Sequence, residues 1–285
     1  MYVCGVSTRK VSRIVEELCG HEVSSSTVSR LTAQLDEELE RWRQRPLGEI
    51  PYLIFDARYE HVRHEGTVVD VALLIAIGIT PEGHRTVLGV SVSDSEAEVH
   101  WRAFLSSLKN RGLCGVELIV SDAHEGLQAA RKAVFPSVPW QRCQFHLQQN
   151  AGHYVPKMSM RAPVAANIRA IFNAPDRDEA EHLLAKFLSR YEKTAPALVR
   201  WAEEAIPEGF TVFALPPSHR RRLRTTNLVE RLNEEIRRRT RVARLFPNEA
   251  ACLRLVSAIL MEISEDWQTA ERRYVVFMDR DAIEG

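Results

Sequence analysis

The hexapeptide PYLIFD, Pro51 to Asp56, is an apolar run of strand length that closes on a carboxylate. The pattern recurs as VELIVSD, Val116 to Asp122. Short apolar runs of this kind read as buried strands. An acid just past the apolar part of each run is expected at a strand end or sheet edge, outside the deep core. If the two strands are neighbours, Asp56 and Asp122 face one another. Two carboxylates at close range repel unless a cation stands between them. The pair therefore points to a divalent-metal site.

Outward from this stretch, PYLIFDARY is predicted as a first strand, Thr67 to Thr80 as a second and Thr86 to Val92 as a third. Pro81-Glu82-Gly83 forms the turn between the last two. Glu96 to Lys109 reads as a helix with Val99, Phe104, Leu105 and Leu108 on its apolar side. The strand ending at Asp122 follows, then a helix from Glu125 to Val134 and a short strand around Val138 to Gln141. Three strands in hairpin succession followed by β-α-β predict an α/β fold, a mixed five-stranded sheet flanked by helices.

Residues 1–48 read as a helical segment. Val11, Ile14, Val15 and Leu18 recur at helical spacing, and Gly20 is placed to end that helix. Ser24 to Ser26 precede a second helix with Val28, Leu31, Leu35 and Leu39. The pair is either a helix-turn-helix or a plain helical hairpin. In the first case Ser26, Thr27, Ser29 and Arg30 face DNA. Residues 49–146 form the first part of the sheet domain. Residues 147–217 read as an all-helical insertion punctuated by Pro175, Pro207 and Pro216-Pro217. Residues 218–245 carry a helix from about Leu228 to Thr240. Residues 246–285 hold a last amphipathic helix, opened by Pro247 and running to about Ile263.

The chain has 285 residues, 45% hydrophobic and 27% charged, and its formal net charge is zero. Such a composition is that of an ordinary globular protein with room for more than one packing unit. The zero total hides a concentrated basic segment. Residues 219–244 hold ten arginines against three glutamates. Arginine's planar fork grips phosphate oxygens bidentately, so the run favours nucleic acid as a partner over a solvated face. The longest apolar stretch, Val68 to Thr80, is broken by Asp70 and too short to span a bilayer. The five cysteines are scattered, odd in number and include no C-x-x-C, so neither a disulfide framework nor a cysteine-rich zinc site is indicated, and a reducing, cytoplasmic setting fits.

Glu230 lies in TTNLVERLN, Thr225 to Asn233. In a helix, Val229, Leu232 and Ile236 form a buried stripe, while Glu230, Asn233, Glu234 and Arg237 share a neighbouring face. A third carboxylate there completes a set with Asp56 and Asp122. Two Asp and one Glu offer oxygen ligands suited to Mg²⁺ or Mn²⁺. Structural roles compete at each position. Asp56 can pair with Arg58 or Arg63, Asp122 can cap the helix after it, and Glu230 can sit at the capping-box position behind Asn227.

The motifs DARYEHVR (Asp56 to Arg63), SDAHEGL (Ser121 to Leu127), RCQFH (Arg142 to His146), TNLVERLNEEIRRRT (Thr226 to Thr240) and LFPN (Leu245 to Asn248) together resemble the Mutator-type transposases of bacterial insertion sequences. The resemblance runs from about Gly5 to Trp267. It implies a DDE transposase with a ribonuclease H-like core, in which Asp56, Asp122 and Glu230 are the catalytic, metal-binding acids and two Mg²⁺ or Mn²⁺ ions are held. It implies double-stranded DNA as partner, both terminal inverted repeats and target, a homodimer on that DNA, and a bacterial, nucleoid-associated location. Arg58, Arg63, Arg142, Cys143, His146, Asn227, Arg237, Arg238, Arg239 and Arg241 are the expected DNA contacts. The departure is at the amino terminus. Family members carry a longer region there that helps recognise element ends, whereas Met1 begins almost at Gly5-Val-Ser-Thr-Arg. A truncated copy acting as a DNA-binding regulator is the alternative expectation.

Overall fold

A computed structural model describes residues 8–19, 23–240 and 245–277. Its elements in chain order are α1 Thr8–Cys19, α2 Ser25–Ala33, α3 Asp36–Arg43, β1 Tyr52–His64, β2 Thr67–Ile79 and β3 Arg85–Ser93. These are followed by α4 Glu98–Asn110, β4 Leu118–Ser121, α5 Glu125–Val134, β5 Trp140–Arg142, α6 Gln144–Ala151 and α7 Met158–Phe172. The last are α8 Arg177–Tyr191, α9 Pro196–Ala205, two short 3₁₀ turns over residues 206–214, α10 Pro217–Leu223, α11 Asn227–Thr240 and α12 Glu249–Thr269. The strands make a mixed five-stranded sheet in the order β3-β2-β1-β4-β5. The chain forms two compact units. One comprises Met1–Val116, His124–Pro136 and Asn227–Tyr274; the other comprises Glu117–Ala123, Ser137–Thr226 and Val275–Gly285.

The first unit is built on an antiparallel meander of β1, β2 and β3. From Val71 to Ile79 every residue of β2 is buried, a continuous apolar run where a half-solvated strand would alternate. Trp101 of α4 is fully buried and meets Phe55 of β1 edge-on at 6.3 Å. One expectation is corrected here. β1 does not stop near Tyr59. It runs 13 residues to His64, paired with β2 along its whole length. Glu65 and Gly66 form the connection with φ of 47° and 83°. Positive φ at both positions is the two-residue turn whose twist matches a hairpin. Asp56 therefore lies mid-strand, opposite Ile75, and not at a strand end. The outer half of β1 is polar because much of it faces solvent, and that polarity hides it from a reading based on apolar runs.

Helix α12 is also longer than expected, reaching Thr269. Its cap explains the LFPN motif. The Asn248 carboxamide oxygen accepts from Ala251 N at 2.8 Å. Two residues earlier, buried Phe246 is bonded to β1, accepting from Arg63 N at 2.8 Å and donating to His61 O at 3.0 Å. Arg254 of α12 forks onto Asp36 of α3 at 2.6 and 2.7 Å, and this bond holds the Asp36 carboxyl below the usual carboxylate range. Edge strand β3 is covered at Val87, whose N–H donates to Ser264 Oγ of α12 at 3.0 Å. Replacing Ser264 by Ala leaves that buried donor without an acceptor. The expected loss is about 1–3 kcal/mol in urea unfolding.

The second unit has its own helical core. Leu147, Ile168, Phe172, Leu184, Phe187, Leu198, Ile206 and Phe210 pack together from α6 through the first 3₁₀ turn. The parallel pair β4 and β5 lies in the same unit, with Val120 opposite Gln141. The Gln141 side chain accepts from Val212 N at 2.8 Å, and Gln144 donates to Gly209 O at 2.8 Å. These bonds tie the strand pair to the helices.

Candidate active site

In the first unit, α11 packs on β1 and α12, and its Val229, Leu232 and Ile236 are buried. The adjacent face carries Glu230 and, one turn on, Asn233. The Asn233 amide donates from Nδ2 to Asp56 Oδ2 at 2.8 Å. Arg58, two residues along β1 from Asp56, donates from Nη1 to the Asn233 carbonyl at 2.5 Å. Its Nη2 pairs with Glu60 Oε1 at 2.6 Å. Burial pushes the Arg58 pKa down, against the pull of Glu60 and with the push of Arg237. Glu230 Oε1 and Asn233 Oδ1 are both buried acceptors without a hydrogen-bond partner among the described residues. Helix α11 begins at Asn227 itself, one residue earlier than the capping-box reading of Glu230 requires.

Asp122 follows β4 directly, as expected. It belongs to the second unit, whereas Asp56 and Glu230 belong to the first. Among the described residues, no three His, Cys, Asp or Glu side chains are gathered to hold a metal. The RCQFH motif adjoins Asp122 through backbone bonds. Cys143 N donates to Ser121 O at 2.8 Å, and Trp140 Nε1 donates to Ser121 Oγ at 3.0 Å. The Cys143 thiol is fully buried and accepts from Thr226 N at 3.3 Å and Thr226 Oγ1 at 3.4 Å. Burial raises its pKa, but hydrogen bonds from His146 and Thr226 outweigh that and leave it lowered. Arg142 is largely covered and pairs with Glu208 at 2.7 Å. The motif thus secures Arg224 to Thr226, the segment that leads into α11; Gln144 N also donates to Arg224 O.

The expected DNA contacts divide by exposure. Arg63, Asn227, Arg237 and Arg238 are exposed; Arg58, Arg142 and His146 are partly covered. Arg238 and Arg239 both bind Glu235, whose carboxyl is held down to about 2 by Arg238 first and then Arg239. Arg239 also forks onto Glu262 of α12 at 2.8 Å twice. Arg237 has no carboxylate partner among the described residues. Arg241 lies outside the described residues, as do residues 20–22, which hold Gly20 and the joint of the expected helix-turn-helix. Of that motif, Ser26 and Arg30 are exposed and Thr27 is partly covered; the Ser29 side chain is outside the description. The serine cluster is a helix cap, with Ser24 Oγ accepting from Thr27 N at 3.1 Å.

The family model "Transposase, Mutator family" matches residues 1–270. The chain is 60% identical over 273 residues, 95% of its length and 70% of the relative's, to the transposase for insertion sequence element IS406 of Burkholderia multivorans. It is 47% identical over 273 residues, again 95% of its length and 68% of the relative's, to that for ISRM5 of Rhizobium meliloti. Identity is 41% over 285 residues, 97% of the chain and 72% of the relative, to the transposase for IS256 in transposon Tn4001 of Staphylococcus aureus. Matched over residues 1–270 by the family model and 60% identical to a transposase over 95% of its length, the chain belongs to the Mutator family of transposases.

Proposed function

We propose that the chain cleaves DNA strands at the ends of an insertion sequence and joins the freed ends to target DNA, in a metal-dependent phosphoryl transfer on a ribonuclease H-like core. The observation that carries this reading is the Asp56–Asn233 bond. It fastens the helix bearing Glu230 to the strand bearing Asp56, although the two lie far apart in sequence. The sheet order, with three antiparallel strands and then the parallel pair β4 and β5, supports the fold assignment.

The donor set suits a hard divalent cation. It is all oxygen, and Glu230 Oε1 is a buried carboxylate oxygen that no donor among the described residues satisfies. In this reading Asp56 and Glu230 hold Mg²⁺ or Mn²⁺ from the first unit, and Asp122 is the third acid, assigned from its motif. Bound ions would supply an activated nucleophile and charge stabilisation for in-line displacement. The protein's own part is to orient Asp56 through Asn233, to hold Glu230 on a packed helix, and to bring phosphates in on exposed arginines. The direct test is cleavage of duplex DNA carrying the element's terminal repeats, with and without Mg²⁺. Metal-independent cleavage would overturn the reading.

The arginines separate in this reading. Arg237→Ala is expected to weaken binding to any duplex and to lower the slope of log K against log salt by about 0.9 per lost phosphate contact. Arg239→Ala should leave that slope nearly unchanged and lower the melting temperature, because it breaks the tie to Glu262. Equal effects of the two on the slope would count against this division.

A further inference from the structure

We propose that Asn233 is a positioning residue for Asp56, setting the carboxylate's orientation for cation binding; this rests on the metal-dependent reading above. The first observation is the 2.8 Å bond itself. An ionised carboxylate only accepts, so the amide must turn its NH₂ group to Asp56 and its oxygen away. That bond occupies Oδ2 and fixes the rotation of the carboxylate. The second observation is that Asn233 is held from both ends. Its backbone carbonyl takes Arg58 Nη1, and Arg58 is itself anchored on Glu60. The main chain at Asn233 therefore cannot slide along β1 without moving α11 or breaking the Arg58 bond. The third is the pair of buried acceptors left over. Asn233 Oδ1 and Glu230 Oε1 sit one turn apart on the same helix, and neither has a donor among the described residues. Buried polar atoms are almost always satisfied, and these two lie on the helix face that meets Asp56. A hydrated divalent cation would supply both the charge and the donors that such acceptors take.

A purely structural role for Asn233 is the competing account, and metal binding separates the two. The full chain is titrated with Mn²⁺ alone, followed by calorimetry and by loss of the free-ion spin-resonance signal. Partners behind a metal ligand usually change affinity 10–100-fold when removed. Asn233→Ala is expected to weaken Mn²⁺ binding by that factor while the metal-free melting temperature moves only a few degrees. Asp56→Asn serves as the control for the reading itself. If the parent chain binds no Mn²⁺, or Asp56→Asn binds as well as the parent, the metal reading fails and the proposal with it. If Asp56→Asn loses affinity and Asn233→Ala does not, the reading stands and the role of Asn233 is overturned. Should Asn233→Ala fail to fold, Asn233→Asp decides. It sets two carboxylates face to face, so its melting temperature should fall without metal and recover with Mn²⁺. A fall without recovery overturns the proposal.

Discussion

Asp56→Asn is expected to lower Mg²⁺-dependent cleavage of terminal-repeat DNA by about 10³-fold or more, equivalent to about 4 kcal/mol of transition-state stabilisation. The fold should survive. Asp56 lies in the middle of β1 within a fully paired hairpin, and its backbone bonds do not depend on the side chain. An amide at this position can still pair with Asn233, since either amide can rotate to offer its oxygen. What is lost is the negative charge, and with it one oxygen ligand of any ion. Circular dichroism and melting temperature should therefore match the parent within a few degrees while cleavage disappears. Cleavage at the parental rate would remove Asp56 from the mechanism. Glu230→Gln is the companion variant, expected to act in the same direction because it neutralises the buried, unsatisfied oxygen.

The largest expected effect on stability comes from a residue with no chemistry. Gly126, in the first turn of α5, lies against the segment that enters α4. A Cβ added there would meet Glu96 O at 2.1 Å, Ala97 C at 3.0 Å and Glu98 N at 2.9 Å. All three are backbone atoms, so no rotamer change relieves the clash. Either α5 or the start of α4 has to shift. Gly126→Ala is expected to cost about 3 kcal/mol, at the upper end of overpacking penalties. That corresponds to a fall of about 6–12 °C in melting temperature. A change under 1 °C would show that the two segments are not held together in solution. The glycine also explains part of the SDAHEGL motif. The Asp122 end of the motif is read chemically, while Gly126 is there for close approach.

Much of the architecture was legible in local pattern. The three-strand meander, the α4 and α5 helices and the strand before Asp122 all follow from apolar runs and turn residues. α5 was placed to the residue, since Glu125 opens it and Val134 closes it. The misses have specific causes. The outer half of β1 is polar because solvent covers it, so its strand pairing left no apolar signal. α6 has polar residues on most sides, and α7 contains Pro163, so neither shows a clear amphipathic stripe. The end of α12 lacks a Gly or Pro stop until past Thr269, and the expectation ended it early.

The candidate site was half legible. Asp56, Asp122 and Glu230 could be picked out as acids near predicted core elements, and Asn233 could be placed on the Glu230 face by its spacing of three. Its partner could not be known. The Asp56–Asn233 bond joins residues 177 positions apart. Arg58, read as a DNA contact, has both terminal nitrogens engaged on Asn233 and Glu60.

Apolar periodicity was enough to establish the class of fold, because burial of apolar side chains imposes a repeat that survives in one dimension, while the family was legible in the sequence motifs, which also nominated the three acids. Which polar group meets which was decided only in three dimensions. Hydrogen bonds are short and directional, so their partners are chosen by how α11 comes to rest along β1, and nothing in the local order of residues encodes that meeting.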